Sequence, residues 1–298
     1  MKNKNILLIK LFLVVVISPC FISCDRKANG FIYNGYGDII GWYKKTGDTV
    51  TLPKPFRGDE HVEFDIDWNK VTSNIRKIII PNDKSLNISD AEFVEEIHFI
   101  GDHINYSSFF NCNNLRIIKA DDNENLSLKI TNCPNLSFPK NIHELVYTEN
   151  NEISLDFTEY NLRSLTLQCD NLSLLRLPDD TSLEKLSLDC PNIGSTTLDL
   201  RKYENLDWFD ISGCNIESIM LPNSLTRLRV IGCKNIKSIE IPASVKEIYK
   251  CDFADCENLE QVVFKNKYTK VDKNTFKGCK YQPPKSRILE WKTHLEYI

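Results

Sequence analysis

The chain of 298 residues is 42% hydrophobic and 26% charged, with 11 Gly and 12 Pro. That composition belongs to a globular protein and excludes a collagen, a disordered tail and a multispan membrane protein. The formal net charge is −4, and no extended basic stripe appears, which argues against nucleic acid as a partner.

Residues 1–23 read as an export signal. Lys2, Lys4 and Lys10 lie around and ahead of the apolar run Leu11 to Ile17, which is too short to span a bilayer as a helix. Ser23 followed by Cys24 resembles a bacterial lipobox, whose cysteine becomes the acylated first residue of the mature chain. Phe21 departs from the usual Leu of that motif. The resemblance implies a membrane anchor through lipid on Cys24 and a bacterial cell-envelope location, at the outer membrane or cell surface. A plain secreted protein cleaved nearby is the alternative.

From residue 72 the chain repeats. Cys233, Ile236, Ile239, Ile241 and Pro242 define a frame that recurs at Thr72, Ile75, Ile78, Ile80 and Pro81. It recurs again at Cys256, Leu259, Val262 and Phe264, and less completely from Ala91 and Cys112. Frame starts fall at 72, 91, 112, 133, 150, 169, 190, 214, 233, 256 and 279, a mean spacing of about 21 residues, in the range of solenoid repeats. Between frames runs an L-x-x-L-x-L hexad, as in Leu183, Leu186 and Leu188, or Leu225, Leu228 and Val230. Each repeat therefore holds two period-2 segments, which predicts two short β-strands. Pro178, Pro222 and Pro242 mark the corner between them, because proline removes a ladder donor.

These residues resemble the BspA-like leucine-rich repeats of bacterial surface proteins. The closest matches are Val245 and Ile248 followed by Phe253, Cys256, Leu259, Val262 and Phe264, then Val271, Phe276 and Cys279; Phe109 and Cys112 repeat the Phe-x-x-Cys spacing. The resemblance covers 72 to 279 and degenerates between 133 and 160, where Pro139 breaks the frame. The expected architecture is mainly β: a leucine-rich-repeat solenoid of about eleven short coils over 72–282, on the order of 50 Å long at the strand spacing. Residues 24–71 would supply a lipid-anchored N-terminus and a small β cap. There Val62, Phe64, Ile66 and Trp68 alternate with acidic residues after a hairpin around Thr46, Gly47 and Asp48. Residues 283–298 would form a short C-terminal cap, read as a helix carrying Ile288, Leu289, Trp291, Leu295 and Ile298.

The cysteines follow the hydrophobic register. Cys112, Cys133, Cys169, Cys190, Cys214, Cys233, Cys256 and Cys279 open eight of the eleven frames, so they are expected as a structural ladder of buried, reduced thiols acting as small hydrophobes. Stacked neighbours would have parallel Cβ vectors, which disfavours bridging.

No catalytic arrangement and no cofactor or metal site is expected. The histidines at 61, 98, 103, 143 and 294 are scattered, and no nucleophile elbow or P-loop occurs. Asp121, Asp122 and Glu124 lack the glycine and spacing of a calcium loop. The remaining candidates sit at outward positions of the hexads, in two columns: Lys185, Trp208, Arg227 and Glu247, and Ser187, Asp210, Arg229 and Tyr249. Trp208, Arg227, Arg229 and Tyr249 are the candidate ligand-binding residues, since exposed aromatics beside arginine suit protein hot spots and also stack on sugars. The family resemblance implies a non-catalytic, surface-anchored protein mediating protein interaction or adhesion, with an extracellular or envelope protein as partner. The alternative is a glycan-binding accessory lipoprotein of a polysaccharide uptake system, using Trp208, Tyr249, Trp42 and Tyr43.

Overall fold

The computed structural model describes residues 26–28, 31–33, 39–42, 49–51, 64–65, 75–81, 86–100, 106–121, 126–249 and 252–289. Three antiparallel strands open it: β1 (Arg26–Ala28), β2 (Phe31–Tyr33) and β3 (Ile39–Trp42). Then follow β4 (Thr49–Thr51), β5 (Phe64–Asp65), β6 (Lys77–Pro81), β7 (Leu86–Ser89), β8 (Glu96–Ile100), β9 (Ser107–Phe110), β10 (Ile117–Asp121) and β11 (Leu126–Thr131). Two long strands occupy the middle, β12 (Ile142–Asp156) and β13 (Ser164–Arg176). The C-terminal part comprises β14 (Lys185–Asp189), β15 (Thr197–Asp199), β16 (Trp208–Ser212), β17 (Ser218–Met220), β18 (Arg227–Ile231), β19 (Ser238–Ile241), β20 (Glu247–Ile248), β21 (Gln261–Phe264) and β22 (Lys270–Val271).

These strands stack as a parallel β-solenoid. One nine-stranded sheet runs β18-β16-β14-β13-β12-β11-β9-β7-β5. A second ladder lies on the other side of the coils in pieces: β10-β8-β6-β4, then β15-β17, then β19-β21. The hexads build the first sheet. In β11, for example, Leu126, Leu128 and Ile130 are buried while Ser127 and Lys129 face outward, as period-2 alternation requires. The inward rows of both ladders merge into one continuous core.

The solenoid has about eight turns rather than eleven. Part of the difference lies between 133 and 176. The frame at Cys133 supplies only an isolated bridge at Ser137 to the second ladder. At the next two frames the chain runs straight on inside β12 and β13, which span 15 and 13 residues, so separate strand pairs fuse into long ones. At seven other frames a left-handed residue just before the frame start turns the corner: Asp90, Asn111, Asn132, Gly213, Gly232, Asp255 and Gly278 all have φ between 52° and 81°. Asn, Asp and Gly are the residues that tolerate this conformation. The turn is reinforced across coils, since Asn132 donates to Asn111 and Asn111 to Asp90.

At the N-terminal end Phe64 and Asp65 pair with β7; the hairpin around 46–48 lies outside the described residues. At the C-terminal end a short 3-10 turn at Lys285–Arg287 leads to Ile288, which bridges Val271. The chain thus enters the cap as an extended segment laid on β22. The rest of the expected helix, 290–298, lies outside the described residues. Arg287 holds the cap: its Nη1 donates to the carbonyls of Asn266, Lys267 and Thr269, and its guanidinium lies 4.2 Å from the Phe264 ring centroid.

Candidate interaction surface

The nine-stranded sheet sets the columns. Lys185, Trp208 and Arg227 are register partners on β14, β16 and β18, and beside them run Ser187, Asp210 and Arg229. Because Phe209, Ile211, Leu228 and Val230 fill the core, these intervening side chains point to solvent. Trp208 is 40% exposed. The Arg227 guanidinium lies over the Trp208 ring, 5.5 Å from its centroid, and Arg229 Nη1 donates to Asp210 Oδ2 at 3.1 Å.

Tyr249 departs from the expected column. β20 pairs with β22 and not with β18, and the ladder is continued instead by Val230, whose N–H donates to the Asp252 carbonyl at 2.6 Å. Tyr249 is 55% exposed; its hydroxyl donates to Glu247 Oε2 at 3.1 Å, and its N–H donates to Asp252 Oδ2 at 2.7 Å. Burial pushes the Asp252 carboxyl above the usual carboxylate range, against the hydrogen bond from the Tyr249 N–H and the nearby Arg229. The structure therefore pairs Trp208 with Arg227 and Arg229 with Asp210, and sets Tyr249 aside just past the short strand β20. Cys24 and Tyr43 lie outside the described residues, and Trp42 is in β3.

Tyr106 and Phe110, 48% and 45% exposed, were not singled out by the sequence reading. Phe110 pairs with Thr131 on the same sheet as Trp208. The signal was available: Phe109 and Phe110 are consecutive in a strand, so one of them must face out.

The eight cysteines are buried free thiols. Cys112, Cys133, Cys190, Cys214 and Cys233 sit just past a strand end, Cys169 lies inside β13, and several of the row donate to a carbonyl of the preceding coil: Cys133 to Phe109, Cys214 to Leu188, Cys256 to Val230 and Cys279 to Phe253. Burial pushes the Cys214 and Cys233 thiols up to about 12. Between Cys133 and Cys169 the row is filled by Glu149, the register partner of Cys169, and not by Asn150, which is exposed. Glu149 is 1% exposed; its Oε1 accepts from the N–H groups of Asn150 and Asn151 and from Asn151 Nδ2, while Oε2 has no hydrogen-bond partner.

A second row missed by sequence reading is made of asparagines just past the frame starts. Asn114, Asn135, Asn192, Asn235 and Asn258 each donate through Nδ2 to a carbonyl one coil earlier. The recurring Cys-x-Asn-Leu/Ile string was its signal. On the second ladder Lys77 and Lys119 flank Glu96 and hold its carboxyl below the usual range. His98, half-buried in β8, pairs in register with Ile79 and Lys119; His143 is half-buried at the start of β12. Among the described residues no three His, Cys, Asp or Glu side chains are placed to hold a metal ion, and no helix is long and apolar enough to cross a membrane.

A parallel two-ladder solenoid with leucine hexads and an asparagine row defines a leucine-rich-repeat protein. Residues 231–285 match the family model described as BspA type leucine rich repeat region, in six copies, and that segment accordingly carries BspA-type leucine-rich repeats. Similar solved structures include a leucine rich cell surface protein from Faecalibacterium prausnitzii A2-165, 13% identical, covering 88% of this chain and 96% of that one at a TM-score of 0.31. The pneumococcal vaccine antigen PcpA is 14% identical over 85% of this chain and 91% of its own, with a TM-score of 0.35. A leucine-rich repeat protein from Bacteroides ovatus is 16% identical over 85% and 89%, with a TM-score of 0.23. No curated protein matches the chain.

Proposed function

We propose that this protein is a non-catalytic interaction module of the bacterial cell surface, anchored by lipid on Cys24, that binds an extracellular or envelope protein through the β14–β16–β18 face. The observation that carries this reading is the Trp208–Arg227 stack with the Arg229–Asp210 pair beside it. A tryptophan with a guanidinium over one face offers area, a donor fork and charge together, the composition of protein hot spots. Glycan capture is less well served, because the Trp208 face that a sugar ring would stack on is shared with Arg227.

The test is binding of residues 24–298 to purified extracellular-matrix proteins and, in parallel, to a glycan array. The expected result is saturable binding to a protein, weakened about tenfold or more by Trp208→Ala, as a hot-spot truncation of 1.4 kcal/mol or more requires. Tight glycan binding lost on Trp208→Ala would reject the reading in favour of glycan uptake. The anchor is tested separately: detergent-phase partitioning of the expressed protein should be lost on Cys24→Ser, and retention would reject acylation there.

A further inference from the structure

Charge is unevenly placed along the chain. Residues 261–298 hold nine Lys and Arg against three Asp and Glu, whereas the remainder holds 28 against 38. In the described part of that segment exposed lysines follow the last coil round: Lys265 just past β21, Lys267 on the turn, Lys270 in β22, Lys273 and Lys277 on the arc beyond, and Lys280. β21 belongs to the second ladder, and β22 pairs with β20 on the side of the hexads. The lysines therefore surround the end of the solenoid instead of forming a stripe on one face.

Few of these charges are neutralised. Lys265 pairs with Glu240 at 2.9 Å and Lys280 with Glu260 at 2.8 Å. Lys270 Nζ donates to the Ser286 carbonyl, and Arg287 to three others, contacts that leave both charges uncompensated. Among the described residues Lys267, Lys273, Lys277 and exposed Lys285 have no carboxylate within ion-pair distance. Asp272, the one acid in 261–289, is half-buried and accepts the Asn274 N–H. Tyr268 stands among these cations 71% exposed, even with Lys267 Nζ 4.9 Å from its ring centroid.

We propose that the terminal coil binds a flexible, linear anionic polysaccharide, at a site separate from the Trp208 face. An ammonium is a hydrated point charge without the fork that selects one carboxylate or phosphate, so a ring of lysines suits anions spread along a chain. Lysine is depleted in protein interfaces, which argues against a folded protein at this end. A flat bilayer or a stiff duplex meets one side of the coil, whereas a flexible chain reaches the corner and the far arc together. Tyr268 selects a sugar over a polyphosphate: its ring stays open with a cation already beside it, and a sugar has C–H faces to lay on it.

Fluorescence anisotropy of a labelled heparin oligosaccharide titrated with the full chain tests the site, since heparin carries both sulfate and carboxylate groups. Saturable binding is expected, with log affinity falling linearly against log salt as counterions are released. Lys267→Gln/Lys285→Gln at the corner and Lys273→Gln/Lys277→Gln on the arc should each weaken binding about tenfold or more and lower the salt slope by roughly 1.5. Arg116→Gln/Lys129→Gln removes the same charge from exposed positions on other coils and should change binding less than about twofold. Tyr268→Ala should weaken heparin and leave inorganic polyphosphate unchanged, and Trp208→Ala should affect neither. No saturable binding, equal loss in the Arg116/Lys129 variant, loss from only one of the two lysine pairs, heparin binding indifferent to Tyr268→Ala, or duplex DNA bound as tightly as heparin would each overturn the proposal.

Discussion

Glu149 stands at the one place in the sulfur row where a carboxylate replaces a thiol, with one oxygen capping the bulge at Asn150 and Asn151 and the other without a partner. A buried oxygen with no donor costs on the order of 1–3 kcal/mol. Glu149→Gln keeps the accepting oxygen and leaves the other position unpartnered as an amide nitrogen, but it removes a carboxylate only 1% exposed, so the midpoint of urea unfolding should rise by the equivalent of about 1 kcal/mol. A fall would mean that Oε2 is served by a partner the hydrogen-bond network does not reveal. Cys214 and Cys233 give a second prediction, with the sign fixed by linkage. Their thiols ionise at about 12 in the folded chain against 9.0 for an unburied cysteine. The folded state holds its protons while the unfolded state releases them, so this contribution is complete below pH 9 and is lost as pH rises from 9 toward 12, by about 1.4 kcal/mol per unit and thiol. A Cys214→Ala/Cys233→Ala variant should lose stability less steeply across that window, as followed by denaturant midpoints at each pH.

At the scale of elements, the strands themselves were legible because inward Leu and Ile at period 2 leave few other conformations for the hexads, and the pairing of β14, β16 and β18 follows from aligning them. Less legible was where the second ladder would break or fuse. Fusion of β12 and β13 depends on the left-handed corner being absent at Glu149 and Cys169, and neither Thr148 nor Gln168 is a residue that favours it; that signal was present but subtle. The close approach at Gly194 was not legible, since it depends on packing between coils. A Cβ there would stand 1.9 Å from the Ser173 carbonyl oxygen, a backbone atom that cannot swing away. Gly194→Ala should therefore cost about 2 kcal/mol or more, measured by thermal or urea unfolding, whereas Ala at exposed Asn223 should change little. The C-terminal element depends on one side chain in the same way: Arg287 ties the cap to three carbonyls of the 266–269 turn. Arg287→Ala should raise amide exchange at β21 and β22 before it affects β14 or β16, because each coil of a solenoid is held by its neighbours alone.

Over the whole molecule the thiol row is one of the buried rows that hold coil on coil. Eight sulfurs in two blocks, separated by Glu149, lie under 10% exposed from Cys112 to Cys279. Several are bonded to the coil before, so the row works by burial and by weak S–H···O contacts rather than by cross-links. Neighbouring thiols also meet directly: Cys112 with Cys133, Cys169 with Cys190, and Cys256 with Cys279 share hydrogen bonds that, with burial, push Cys112, Cys190 and Cys256 up. Under the proposed location at the cell surface the row meets oxidising conditions, and it would resist oxidation by being inaccessible. A thiol reagent added at neutral pH should find these eight cysteines unreactive while the solenoid is folded, and all eight should react when the chain is unfolded without reductant. Two or fewer free thiols in the unfolded, unreduced chain would show that the coils are stapled by disulfides, and that the register which makes the fold legible has another cause. Slow partial labelling in the folded state should start at Cys279, at 9% the most exposed of the row together with its end position, and advance inward, since a solenoid opens from its ends.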